Sequence, residues 1–154
     1  MVAQIQTHAG CAVPDDLEYQ LESDVWVRFE TDGSVTLGMT DPAQTRAGKL
    51  VSILFRRPGR ILEAGQSAAT IESAKWAGPF PTPLSGELLA HNQAGFDRDI
   101  LVANRDPYGA GWLVRLRPTA LAQERHRLTS GPQAFEFYRE RIDRDGIRCF
   151  RCAD

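Results

Sequence analysis

Over residues 25–116 the chain is a succession of short apolar stretches cut by glycines, prolines and Asp-Gly turns, with little helical period anywhere in it. Stretches that short bury an apolar face by pairing into sheets, so the pattern predicts an all-β sandwich or barrel. Val25, Val27 and Phe29 alternate with polar neighbours, Thr31-Asp32-Gly33-Ser34 supplies a turn, and Val35, Leu37 and Met39 resume the alternation. Period and turn chemistry together make this a hairpin. Residues 41–46 read as one helical turn, with Asp41 as N-cap, Pro42 at the first helical position and Gly48 as the stop.

Strands are expected over Leu50–Phe55, Ile61–Leu62, Ser67–Ser73 and Gly86–His91, and again through Trp112, Val114 and Leu116. Pro79, Pro81 and Pro83 exclude a helix or a central strand and favour a stiff, extended connection. After Pro118 the composition favours helix over 120–128 and 133–144, where Phe135, Tyr138 and Ile142 share one face. Ser130-Gly131-Pro132 separates the two helices and can cap the second, and residues 147–152 close the chain as a short strand or a tail. A chain of 154 residues is the usual size of one domain. The organisation expected is a single domain, 1–154, with a β core over 24–118 and a helical C-terminal extension, 119–154, that ends in a cysteine-containing tail.

Eighteen Lys and Arg against twenty Asp and Glu leave a net charge of -2, which gives no field to recruit nucleic acid or an anionic membrane. No apolar run approaches the roughly 20 residues that a membrane helix needs, and the start of the chain lacks a basic segment followed by an apolar one. Cys11, Cys149 and Cys152 are too few and too unevenly placed for a disulfide framework, which fits a reducing compartment. The expectation is a cytoplasmic monomer whose partners are proteins or small molecules.

The stretch richest in chemistry is Glu72-Ser73-Ala74-Lys75-Trp76, where a tight turn between two short strands projects a lysine away from the sheet. An exposed lysine is ordinarily a solvated charge, but on such a turn its amine is open to covalent modification. Gly65 lies about ten residues before Lys75, Glu72 three before it, and Pro83 with Ser85-Gly86-Glu87 follows. This spacing resembles the lipoyl and biotinyl domain pattern. Asn104-Arg105-Asp106-Pro107-Tyr108-Gly109-Ala110-Gly111-Trp112 is similar to the signature near the end of glycine cleavage H proteins. Trp26, Asp32-Gly33, Gly38-Met39-Thr40 and Ala47-Gly48 fall in the same family's order.

The resemblance covers residues 24–118 and, more weakly, the helix around Phe135. It implies a mainly β fold, a flattened barrel-sandwich of the lipoyl/biotinyl type with C-terminal helices, and lipoic acid joined by an amide to Lys75. Biotin fits less well, because Ala74 and Trp76 stand where biotin carriers usually have methionines. The chain would then be a non-catalytic carrier: a dithiolane on a swinging arm exchanges with thiols, holds a group on one sulfur and delivers it at high effective concentration. The implied partners are a lipoate-protein ligase or other lipoyl-assembly enzymes, and dihydrolipoamide dehydrogenase. Glu72 would help the attaching enzyme recognise the turn, the plainer alternative being an outward strand carboxylate. Trp76 would shield the arm or meet a partner, the plainer alternative being packing against Pro79-Phe80-Pro81. Asn104 and Tyr108 are expected to brace their own loop.

The chain departs from glycine cleavage H proteins at Asp24-Val25-Trp26, where they usually have His-Glu-Trp, and at Arg56-Arg57-Pro58-Gly59-Arg60, where they are usually acidic. Trp76 with Gly78-Pro79 is more similar to the H-protein relatives called lipoate-binding proteins, of the bacterial heterodisulfide-reductase-like system of sulfur oxidation. That branch is the one the resemblance favours, and it implies a heterodisulfide-reductase-like complex as partner and sulfur-bound intermediates as cargo; the alternative, glycine cleavage, implies an aminomethyl group carried between glycine decarboxylase and aminomethyltransferase.

Cys149-Phe150-Arg151-Cys152 is a C-x-x-C pair able to exchange with a lipoyl or substrate sulfur if it reaches the arm, or else two ordinary tail cysteines. No metal site is expected, since His8, His91, His126 and Cys11 supply no further ligands at motif spacing. Two rival readings are weaker, since a hairpin-tip lysine is usually well hydrated and the intact lysine, Glu72 and flanking turns argue against a lost cofactor. Lys75 could be the Schiff-base or general-base residue of an enzyme, which requires a partly apolar pocket around it, or the fold could be a module that has lost its cofactor.

Overall fold

Three strands that the sequence pattern does not announce come first: β1 (Ile5–His8), β2 (Cys11–Pro14) and β3 (Glu18–Gln20). They precede the predicted hairpin of β4 (Val25–Phe29) and β5 (Val35–Met39), in which Trp26 faces Gly38 and Val27 faces Leu37. The chain continues through α1 (Asp41–Ala47), β6 (Leu50–Phe55), β7 (Ile61–Leu62), β8 (Ser67–Ser73), β9 (Ala77–Pro81) and β10 (Gly86–His91). Then come α2 (Gln93–Arg98), α3 (Val102–Arg105), β11 (Val114–Pro118), α4 (Leu121–Glu124), one 3₁₀ turn over Arg125–Arg127, β12 (Thr129–Ser130) and α5 (Gly131–Asp145). The computed structural model describes residues 5–152. The ends of the expected 1–154 unit, including the first residues on which the absence of an export signal rests, lie outside them.

The strands form a seven-stranded sheet in the order β12-β3-β4-β5-β11-β10-β7, a three-stranded sheet β6-β8-β9, and the separate β1–β2 hairpin. The two larger sheets share one apolar core, in which Val27, Leu37 and Leu116 of the first meet Ile53, Ile71 and Phe80 of the second. A second, smaller core lies under α5, where Tyr138 and Ile142 pack on Cys11, Tyr19 and Trp26. The fold is therefore mainly β and flattened, with a C-terminal helix, as expected.

Several local expectations are corrected. Thr40, not Asp41, caps α1, its hydroxyl oxygen accepting from the Ala43 N–H at 3.2 Å. Asp41 is the first helical residue, and its buried carboxylate instead accepts from the Ala12 N–H and from Gln44, both at 2.8 Å. Residues 77–81 are a strand rather than a connection; β9 pairs only with β8, and on a sheet edge Pro79 and Pro81 leave no ladder bond unmade. The helix expected over 120–128 breaks after Glu124, whose buried carboxylate accepts from the Ser85 N–H at 2.8 Å and its hydroxyl at 2.6 Å. The tail over 147–152 forms no strand. The cysteines are not all free: Cys11 and Cys149, 138 residues apart, form a disulfide with Cα atoms 4.7 Å apart.

Trp26 is fully buried and crosses directly over Gly38, where an added Cβ would lie 2.5 Å from the indole. Its N–H donates to the Pro107 carbonyl at 2.9 Å, so the ring cannot swing aside without losing a buried bond. Gly38→Ala is therefore expected to destabilise the fold by about 1–3 kcal/mol, read as a lower urea midpoint with an unchanged slope.

Candidate functional site

Lys75 sits at the tip of the β8–β9 hairpin, and one serine builds the turn beneath it. The Ser73 N–H donates to the Trp76 carbonyl at 2.7 Å, and the Ser73 hydroxyl oxygen accepts from the N–H groups of Trp76 at 3.0 Å and Lys75 at 3.3 Å. Ser73 is itself buried, so Ala74 and Lys75 are held out from a fixed base. The Lys75 amine forms no ion pair among the described residues.

The lysine side chain lies back over Gly48, the residue that ends α1. A Cβ there would come within 2.9 Å of Lys75 Cε, and Gly48 also has a φ of +76°, so the position requires glycine on two counts. Behind it stands Asn104, 2% exposed. Its amide group donates to the Gly48 carbonyl at 2.9 Å and to the Gln44 side-chain oxygen at 3.1 Å, while its own carbonyl accepts from the Leu50 N–H at 3.1 Å. Tyr108 ties this frame to the β1–β2 hairpin, donating to the Ala12 carbonyl and accepting from the Asp41 N–H at 2.9 Å. Burial raises its phenol far above the ordinary value, so it stays a neutral donor. Both residues brace their surroundings.

Next to the lysine, between α1 and the β8–β9 hairpin, opens a groove of about 620 Å³. Its lining is largely apolar, with Met39, Ala43, Ala47, Ile71 and Phe80, and Asp24 and Arg46 supply charge. Both charges are already paired with α5 or its end. Arg141 donates two bonds of 2.9 Å to Asp24, and Arg46 pairs with Asp145. Tyr138 adds a bond to Asp24 at 3.0 Å; burial raises its phenol as well, so that it too remains protonated. The C-terminal helix is thus fastened to the rim of the groove.

Glu72, Lys75 and Trp76 lie together on the one hairpin. Glu72 faces outward, its carboxylate accepting a long 3.4 Å bond from Ser52. Trp76, 43% exposed, lays its indole on the Gly78 backbone, where a Cβ would meet the ring at 2.4 Å, and lines the groove with Pro79, Phe80 and Pro81. Cys149 is not paired with Cys152, because its sulfur is already bonded to Cys11, and Cys152 keeps a free, half-buried thiol. Sequence reasoning missed the Cys11–Cys149 bond and the groove. Gly48 was read as the stop of α1, Met39 as part of the hairpin and Asn104 as a brace of its loop, but their places under and beside Lys75 were not.

Lys75 thus stands exposed on a rigid hairpin tip, bedded on a glycine and beside an apolar groove. Comparison with known proteins gives the family. The family model described as glycine cleavage H-protein matches residues 17–141. Glycine cleavage system H protein 2 of Aquifex aeolicus is 39% identical over 149 residues, covering 97% of this chain and 92% of its own length. A probable glycine cleavage system H protein 2 of Saccharolobus solfataricus is 37% identical, covering 93% of this chain and 97% of its own. The crystal structure of a glycine cleavage system H protein from Mycobacterium marinum superposes with a TM-score of 0.69 at 29% identity, covering 88% of this chain and 100% of that one. The chain belongs to the glycine cleavage H-protein family, whose members are non-catalytic carriers with lipoic acid bound covalently to a lysine.

Removing the Asn104 side chain would take these partners from the buried Leu50 N–H and the half-buried Gly48 carbonyl. Asn104→Ala is expected to cost about 2–4 kcal/mol in chemical denaturation, and Asn104→Asp no less, since it keeps the acceptor for Leu50 but turns a buried carboxylate oxygen on the Gly48 and Gln44 oxygens.

Proposed function

We propose that Lys75 is the lipoyl attachment point and that the chain serves as a glycine cleavage carrier, moving an aminomethyl group between glycine decarboxylase and aminomethyltransferase. The observation that carries this is the lysine itself, alone on its turn, packed over Gly48 and beside an apolar groove. Bound lipoic acid supplies a dithiolane that exchanges with thiols and holds a group on one sulfur. The remaining work falls to this chain's own residues. Ser73 fixes where the arm begins, Gly48 leaves room for the lysine methylenes, and Met39, Ala43 and Phe80 offer an apolar bed that excludes water from whatever the arm presents to them. Glu72 and Trp76 flank the lysine on the exposed side of the hairpin, where a ligase or other lipoyl-assembly enzyme would read them. Dihydrolipoamide dehydrogenase would return the arm to its oxidised state.

The names of the relatives favour aminomethyl transfer over sulfur oxidation. A second reading, a carrier of sulfur-bound intermediates for a heterodisulfide-reductase-like complex, draws on two features. The bulky indole of Trp76 stacks on Gly78 immediately beyond the lysine, and Arg56, Arg57 and Arg60 are all exposed on the β6–β7 turn. These change the docking surface while leaving the attachment site intact. In either case the chain is taken as one domain; the β core expected over 24–118 extends in the structure to β3 and β12, and α5 of the C-terminal extension is fastened to the groove's rim. It acts as a monomer in the cytoplasm. Among the described residues no helix is long and apolar enough to cross a membrane.

Co-expression with a lipoate ligase should raise the intact mass by one lipoyl group in the wild type and leave Lys75→Ala unchanged. An unmodified wild type beside a lipoyl domain modified in parallel would overturn the reading.

A further inference from the structure

The C-terminal segment is held against α1 and its neighbours by attachments at each of Cys149, Phe150, Arg151 and Cys152. Cys149 is bonded to Cys11, and its N–H donates to the Ala9 carbonyl at 3.0 Å. Gln44 donates to the Phe150 carbonyl at 2.9 Å, Arg151 pairs with the buried Asp41 carboxylate at 3.2 Å, and the Cys152 N–H donates to the Asn104 carbonyl at 3.0 Å. Gln44, Asp41 and Asn104 are the same residues that frame Gly48 and the lysine. Whatever releases this segment therefore removes a brace from the wall of the groove.

The three sulfurs differ in access. Cys11 is fully buried, Cys149 is partly exposed, and Cys152 carries a free thiol three residues beyond the bridge. Cys149 is the less buried partner of the bridge, so attack by an external thiol is expected at its sulfur, with Cys11 as the leaving group. In the bridged form Cys149 and Cys152 hold separate anchors, Ala9 and Asn104. Three extended residues span up to about 10 Å, whereas a disulfide needs Cα atoms within about 7 Å, so a segment extended between the two cysteines must fold back to join them.

We propose that Cys11, Cys149 and Cys152 form a thiol–disulfide exchange site that takes a small thiol and releases the C-terminal segment from α1. The incoming thiolate attacks the Cys149 sulfur, the bond to Cys11 breaks, and its electron pair leaves on the Cys11 sulfur, which takes up a proton. Cys152, giving up its proton, then attacks the Cys149 sulfur; the incoming thiol leaves with the electron pair and the Cys149–Cys152 bond closes the C-x-x-C ring. One disulfide is exchanged for another, the thiol is regenerated and no oxidant is consumed. In the cytoplasm proposed above, a disulfide is usually an exchanging bond rather than a static staple. Nothing in the step requires Lys75 to be modified.

The test uses full-length protein, oxidised in air and confirmed by mass to hold the Cys11–Cys149 bond, in wild-type, Lys75→Ala and Cys152→Ser forms. Each is incubated without denaturant and without oxygen with a low concentration of reduced glutathione, then alkylated and mapped. In the wild type and Lys75→Ala alike, Cys11 should become alkylated and a Cys149–Cys152 peptide should appear. In Cys152→Ser glutathione should stay on Cys149. Tryptic cleavage after Arg148 should quicken about ten-fold once the bridge has opened. Failure of Cys11–Cys149 to form, or a bond that opens only in denaturant, would overturn the proposal. Because Lys75→Ala cannot carry the arm, that failure is distinct from failure of the lipoyl reading.

Discussion

The buried carboxamide of Asn104 is where α1, β6 and the lysine's support meet. It satisfies the Gly48 carbonyl at the end of α1 and the Leu50 N–H at the start of β6, two backbone groups that a change of chain direction would otherwise leave unpaired in the interior. With both fixed, Gly48 keeps its left-handed backbone and presents a surface without a side chain, and only such a surface lets the Lys75 methylenes lie against it. The turn of the β8–β9 hairpin supplies the lysine, while Asn104, on the short helix α3, supplies the floor.

A carrier has to keep its arm both reachable and sheltered, and the charge distribution around the groove serves that need. Asp24 and Arg46 at its edge are paired with Arg141 and Asp145, so α5 is anchored and Lys75 is left as the groove's unpaired charge among the described residues. Asp41 does the equivalent work behind α1, where its carboxylate gathers the Ala12 N–H, Gln44 and Arg151. A buried carboxylate with that many donors stays satisfied, and in holding them it links the first strands and the last residues of the chain to one helix. Reading this as a carrier rather than as a Schiff-base enzyme follows from the family and from Lys75 standing exposed at a tip instead of enclosed.

What the sequence made legible was local. The β4–β5 hairpin and the lysine turn were readable because alternation of period two and turn chemistry occupy consecutive residues. Ser73, Glu72 and Trp76 came with them. The first strands were not readable: Cys11–Pro14 is buried at every position, so no alternation marks it, and β3 has only three residues. The short helices α2 and α3 complete too little of a helical period to show. The groove draws Met39, Ala43 and Phe80 from three elements, and the Cys11–Cys149 bond joins residues 138 apart; both depend on the tertiary arrangement.

The most direct measurement is the intact mass of the lipoylated protein after incubation with glycine, pyridoxal phosphate and glycine decarboxylase, with an established glycine cleavage H protein alongside. The account predicts an aminomethyl increment on the lipoyl arm comparable to that of the control. A fully lipoylated protein that stays unloaded while the control loads would contradict it, and would turn the search for cargo to sulfur compounds.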